Sequence, residues 1–278
     1  ADMATGCDTT LAQVAAECLG CELDDIVVFG ADTDIAPYDS GSYASSTAYL
    51  TGTAVVKTCE ALKEKILHKA AKYLETGAEE LEFDGKRVYK LACEADGTRK
   101  EITIKDLANR VQCANEDALQ VTQSHSSPIS PPPFMAGAAE VEVDLETGQV
   151  ELIKFAAAVD CGTPLNENLA RVQTEGGLVQ GIGMALYEDV SYSKDGKVHE
   201  NSFMQYKVPS RLDVGRVKVE FESSFEPTGP FGAKSIGEVV INTPSPAIAN
   251  AVYNAVGVRI RELPITAEKV FKGMNGLD

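Results

Sequence analysis

Three segments of the sequence hold residue types at spacings that can do chemistry. The last of them is Phe225-Glu-Pro-Thr-Gly-Pro-Phe-Gly-Ala-Lys-Ser-Ile-Gly-Glu238, an irregular loop shaped by Gly229, Gly232 and Gly237 with Pro227 and Pro230. Glu238 stands between Ile236-Gly237 and Val239-Val-Ile241. A carboxylate among apolar neighbours is poorly hydrated, which suits a general base working near neutral pH. The plain alternative is a surface glutamate at a loop edge.

The second segment, Gln173-Thr-Glu-Gly-Gly-Leu-Val-Gln-Gly-Ile-Gly183, puts Gly176, Gly177, Gly181 and Gly183 into a helical pattern. Each helical glycine costs roughly 0.5–1 kcal/mol against alanine, so four cost on the order of 2–4 kcal/mol. Something must offset that loss. Tight packing of another backbone is favoured, and close approach of a flat ligand is the alternative. The first segment, Tyr38-Asp-Ser-Gly-Ser-Tyr-Ala-Ser-Ser-Thr47, is rich in hydroxyls and feeds a helix that starts near residue 48. Free backbone N–H groups and hydroxyls at a helix start can receive an anion. Thr5-Gly-Cys-Asp-Thr-Thr10 repeats the arrangement at an earlier helix; an ordinary capped loop is the plain reading of both.

The elements that must position these segments follow from the pattern. Leu11–Leu19 reads as a helix stopped by Gly20. Ile26-Val-Val-Phe29 reads as a short buried strand. Val55, Cys59, Leu62, Ile66 and Ala70 step by three and four, predicting an amphipathic helix over 52–74 that ends by Gly77. Leu81–Phe83 and Arg87–Leu91 form a hairpin about Asp84-Gly85, followed by a short helix near 105–111. Ser126-Ser-Pro-Ile-Ser-Pro-Pro-Pro133 is the sharpest break in composition and reads as a crossover between subdomains. Beyond it come a hairpin over 139–144 and 150–155, a helix over 169–189, a strand at 217–221 and a last long helix from Ser245-Pro246 to Gly257. The fold class expected is α+β, with mixed α/β subdomains over 1–127 and 128–278.

Composition removes several functions. The 278 residues carry 25 basic and 42 acidic side chains, a net charge of −17 that repels nucleic acid and anionic membranes. No stretch approaches the length of a membrane span, and the opening Ala-Asp-Met-Ala-Thr-Gly resembles neither a signal nor a transit peptide. Seven cysteines, an odd number in a long chain, suit reduced thiols in the cytoplasm that serve as small core residues. Cys18-Leu-Gly-Cys21 lacks a second pair, and His68, His125 and His199 lie far apart, so no metal ligand set is expected on the chain.

Taken together the motifs resemble the C-terminal half of the molybdenum-binding subunit of the xanthine dehydrogenase (molybdenum hydroxylase) family. Asp32-Thr-Asp34 leading to Gly41-Ser-Tyr-Ala-Ser-Ser46 is similar to a family loop. So is Val159-Asp-Cys-Gly-Thr-Pro-Leu-Asn166 followed by Gln173-Thr-Glu-Gly-Gly177. Gly229-Pro-Phe-Gly-Ala-Lys-Ser-Ile-Gly-Glu238 resembles the family's most specific signature. The sequence departs from the pattern at Ala4, Glu167 and Ser235, where the family has Gly, Pro and Gly.

The resemblance implies a molybdenum centre on a pterin dithiolene, with or without a cytosine dinucleotide, that hydroxylates an electron-poor carbon. It implies Glu238 as the base that deprotonates the attacking hydroxo group, with hydride passing to a sulfido ligand. It implies Gln173 as a hydrogen-bond partner of the pterin, Ala44 and Ser45 beside the metal and pterin, and Met3, Ala4, Thr5 and Gly6 as a cofactor loop. The substrate implied is a purine or another N-heteroaromatic. The partners implied are the N-terminal half of the molybdenum subunit, an iron–sulfur subunit carrying [2Fe–2S] clusters and an FAD subunit. Reductive dehydroxylation of a hydroxyaryl thioester, as in 4-hydroxybenzoyl-CoA reductases, and a non-catalytic assembly half of a divided subunit are the competing readings.

Overall fold

A computed structural model of the chain describes residues 2–277. It contains two compact units. The first is Ala1–Ser130 with Pro227–Phe231, and the second is Pro131–Glu226 with Gly232–Asp278. The division falls within the proline-rich stretch. The short return of 227–231 to the first unit has no signal in the sequence.

The first unit is built on two helices, α1 (Cys7–Leu19) and α2 (Gly52–Leu74). Gly20 takes φ 73° and closes α1 with its N–H on the Ala16 carbonyl. The period of three and four that predicts α2 is its buried face: Cys59, Ile66, Ala70 and Leu74 are buried. Its end falls at Glu75, which adopts φ 54°, two residues before the expected Gly77. Three short antiparallel strands follow, β1 (Leu81–Phe83), β2 (Arg87–Lys90) and β3 (Glu101–Thr103), then α3 (Ile104–Cys113). Leu81, Val88 and Ile102 from the sheet meet Leu107 and Val111 of α3 and the end of α2 in one core.

Ile26–Phe29 is not a strand. It pairs with nothing among the described residues, and Val27 and Phe29 are 86% and 65% exposed. An apolar, β-branched run becomes a strand only where an edge accepts its ladder, and local pattern does not supply one.

The second unit is a three-stranded sheet, β4 (Phe134–Val143), β5 (Val150–Asp160) and β6 (Arg216–Phe221), covered by α4 (Glu167–Leu186) and α5 (Pro244–Val256). The expected hairpin is β4–β5, longer than its alternating core. A bulge between Glu140 and Val141 shifts the register, so burial along β5 passes from Leu152 to Phe155, Ala157 and Val159. Strand β6 joins β5 in parallel. A final helix, α6 (Ala267–Asn275), had no expectation in the sequence. The mixture of antiparallel sheets and helices is α+β, as read from the sequence. Of the cysteines, Cys59 and Cys161 behave as core residues, their thiols pushed up to about 11 by burial, whereas Cys93 and Cys113 are exposed. Among the described residues, no helix is long and apolar enough to cross a membrane.

Candidate active site

In the first unit, helix α1 lies along α2 and touches the turn over Thr47–Thr51, while Lys63 Nζ donates to the Cys18 carbonyl at 3.1 Å. These contacts make the two helices parallel, so the loops over 2–6 and 41–46 open at the same end. In the first loop, the N–H groups of Thr5 and Gly6 donate to Asp2 Oδ1 at 2.8 and 3.1 Å, and that of Asp8 to Oδ2 at 3.4 Å. Burial alone would push the Asp2 carboxyl up, but these amides outweigh it and hold it below the usual carboxylate range. The loop is thus a nest of amides around an oxyanion. Asp2, Cys7 and Asp8 form the one group of three ligand-type side chains among the described residues close enough to share an ion. The Asp2 oxygens are already engaged by amides.

In the second loop most hydroxyls serve the loop itself. Thr47 Oγ1 donates to Ser42 Oγ at 2.7 Å, Ser46 Oγ to the Gly41 carbonyl at 3.3 Å, and Thr51 Oγ1 to Asp39 Oδ2 at 3.3 Å. What they enforce is an unusual backbone: Ala44 and Ser45 adopt φ 53° and 56°. The left-handed region costs a residue with a Cβ about 1 kcal/mol or more. Among the described residues six non-glycine residues adopt it; Ala44, Ser45 and Phe231 lie in the motif segments 38–47 and 225–238, and Ala4 in the loop that the resemblance implies for a cofactor. Met3 and Ala4 are exposed; Thr5, Gly6 and Ser45 are half-buried.

In the second unit, Gln173, Gly177 and Gly181 share one face of α4 at spacings of four. A Cβ on Gly177 would lie 2.1 Å from Val240 Cγ2, and one on Gly181 2.6 Å from Pro244 Cγ. The glycines therefore admit the 240–244 segment, and packing accounts for their cost at these two positions. Gly176 faces open space. The contact brings Gln173, one turn before Gly177, and Glu238, two residues before Val240, to the same part of the unit. The half-buried Gln173 carboxamide makes no hydrogen bond among the described residues, so its donor and acceptor face outward needs.

Glu238 departs from expectation. It is exposed, at the N-cap of a 3-10 turn over Val239–Ile241. That turn rotates Val240 into the core against α4 and leaves the carboxylate outside it. The apolar neighbours bury themselves and do not dehydrate the glutamate.

The loop before Glu238 is fastened to the corner after β5. Lys234 Nζ sits 2.6 Å from Asp160 Oδ2, with the lysine 8% exposed. Ser224 Oγ and the Gly162 N–H also donate to Asp160, at 2.5 and 3.0 Å. Neither charge stands out in the sequence by type or spacing. The available signal was an acid and a base set among small residues in two separate motifs, a setting that asks for a partner.

Comparison with known proteins decides the family. The family model described as molybdopterin cofactor-binding domain matches residues 1–215. The chain belongs to this cofactor-binding family, of the xanthine dehydrogenase type. It is 35% identical over 276 residues to the "Probable hypoxanthine oxidase XdhD" of Escherichia coli K12, covering 99% of this chain and 28% of that protein. Among solved structures, the reconstituted CO dehydrogenase from Oligotropha carboxidovorans matches with a TM-score of 0.86 at 28% identity, over 99% of this chain and 35% of the other. Quinoline 2-oxidoreductase from Pseudomonas putida 86 matches with a TM-score of 0.82 at 26% identity, over 100% of this chain and 36% of the other. The chain therefore spans about a third of the length of such relatives.

Proposed function

We propose that this chain is the C-terminal, cofactor-holding part of a molybdenum hydroxylase subunit that oxidises a purine or a related N-heteroaromatic, with Glu238 as its base. The observation that carries the reading is the concentration of left-handed, non-glycine backbone in two motif segments and the implied cofactor loop. Such strain persists where a structure is shaped for a ligand rather than for its own stability.

The amides of Thr5 and Gly6, with the loop from Met3 and Ala4, suit a phosphate or pterin oxygen, because they already converge on a carboxylate. Ala44 and Ser45, with their bent backbone, and the Gln173 carboxamide, with a donor and an acceptor, would help to hold the cofactor. When bound, the molybdenum–pterin group supplies the oxygen-transfer and electron-accepting chemistry. Glu238 takes up a proton at its carboxylate as the substrate carbon is hydroxylated. Glu238 is exposed here, so in this reading any apolar surroundings for it would come from the N-terminal part of the subunit. The reading carries the rest of the assembly with it: an iron–sulfur subunit with [2Fe–2S] clusters, an FAD subunit, a pterin that takes or lacks a cytosine dinucleotide, and a cytoplasmic location.

The test is Glu238→Gln in the complete, molybdenum-loaded enzyme. Turnover should fall by roughly 10²–10⁴, the usual worth of a general base, with molybdenum content and KM within twofold. Near-normal turnover would remove Glu238 from the chemistry.

A further inference from the structure

The ion pair that fastens the loop before Glu238 has a geometry suited to more than stability. Asp160 is the last residue of β5, a central strand paired on both sides, and so a rigid reference point. Three sets of contacts tie Gly232–Lys234 to it. The Lys234 N–H donates to the Cys161 carbonyl at 2.7 Å, the Thr163 N–H to the Gly232 carbonyl at 2.8 Å, and Lys234 Nζ reaches Asp160 at 2.6 Å. Gly162, at φ 70°, permits the approach: a Cβ there would lie 2.2 Å from the Gly232 oxygen. Phe134 lies beside the lysine, its ring centre 5.2 Å from Nζ. Three residues separate this clamp from Glu238, and the next fixed point after it is Val240 against Gly177. Glu238 thus sits on a short span held at both ends.

Well-packed apolar residues would anchor a loop as firmly as a buried ion pair, because desolvation offsets most of the pair's attraction. What the pair adds is specificity, since an ammonium and a carboxylate meet in one register only.

We propose that Lys234 and Asp160 are positioning residues that set the register of the 232–238 loop and so the placement of the Glu238 carboxylate. The proposal rests on the reading of Glu238 as the base. It is tested in the complete molybdenum-loaded enzyme with K234M, D160N, K234R and S224A, and with E238Q as the reference. Each variant is read by steady-state kinetics, by molybdenum content and by amide hydrogen exchange over 232–238. K234M and D160N should lower kcat at least tenfold, leave KM and molybdenum content within twofold, and speed exchange over 232–238 at least tenfold. K234R, which keeps the charge, should recover most of the lost kcat. If K234M keeps kcat within twofold while E238Q is inactive, the positioning role is overturned and the base survives. If E238Q turns over normally, the base reading itself fails. Lost turnover in K234M without faster loop exchange would make Lys234 a participant in chemistry, and so overturn positioning as well. Should K234M and D160N fail to fold, S224A decides, because it removes only the hydroxyl from Asp160. Unchanged exchange over 232–238 in S224A would then overturn the proposal.

Discussion

Replacing Gly181 by alanine separates the two explanations of the glycine-dense helix. The added Cβ would lie 2.6 and 2.9 Å from Pro244 Cγ and Cβ, and 2.9 Å from the Ile241 carbonyl oxygen. A proline ring and a backbone carbonyl have no rotamer by which to step aside. Overpacking of this kind costs about 1–3 kcal/mol. Against it stands the helix-propensity gain of Gly→Ala, about 0.5–1 kcal/mol. Gly176→Ala, whose Cβ would meet nothing within 4 Å, collects the same gain with no clash. The difference between the two variants therefore isolates the packing cost, about 1–3 kcal/mol. That corresponds to about 2–4 °C in Tm for each kcal/mol in a domain of this size. The chain contains no tryptophan, so urea and thermal unfolding are followed by circular dichroism. Gly176→Ala should be more stable than the parent, and Gly181→Ala less stable than Gly176→Ala by the stated margin. Equal stability of the two variants would refute the packing account and return the glycines to a role in admitting a flat ligand.

Ala44→Gly should stabilise the first unit by about 0.5–1 kcal/mol, because relief of the left-handed penalty exceeds the entropy that glycine adds to the unfolded chain; the urea midpoint reads it. Stability should also fall with acid in two windows. Glu116 accepts from Lys72, from Lys69 at 2.9 Å and from Tyr73, and the lysines bring its carboxyl down to about 2 from an ordinary 4.5. Its contribution is full above pH 4.5 and is lost as pH falls towards 2, and Glu116→Gln should make the acid slope of stability shallower, the other lowered carboxylates keeping the rest. His125, held below its ordinary 6.5 by burial and then by Lys57, whose Nζ lies 2.8 Å from Nδ1, acts in the same direction. The unfolded chain takes up the proton first, so stability declines as pH drops below 6.5, and a titration of unfolding free energy in the His125→Gln variant should lack that step.

The helices that carry their own signals were legible. Cys59, Ile66 and Ala70 announce α2 because burial on a helix repeats at three and four residues, and Gly20 and Gly257 mark real ends because both take positive φ. A cap alone, such as Thr266 Oγ1 accepting from the Lys269 N–H at 3.3 Å at the start of α6, is a weaker signal than a buried period. What local pattern does not hold is the choice of partner. Nothing within Ile26–Phe29 says that no edge receives it, and nothing within Arg216–Phe221 says that it joins β5 in parallel. The same limit governs the site. Sequence motif marked the loops, yet the pairing of Asp160 with Lys234, 74 residues apart, exists only once the fold brings the two together.

In the hydroxyl-rich loop the side-chain hydroxyls serve the loop rather than a ligand. Its serines and threonines suggested direct donors to an anion, but Ser42, Ser46, Thr47 and Thr51 spend hydrogen bonds on one another, on Gly41 and on Asp39. Those bonds hold Ala44 and Ser45 where an unsupported chain would not stay. The first loop works by a related division of labour, with Asp2 occupying amides that are shaped for an oxyanion. Side chains fix the shape, and backbone amides present it. Converging amides can receive an anion without charged side chains around it, so a net charge of −17 does not by itself exclude an anionic ligand.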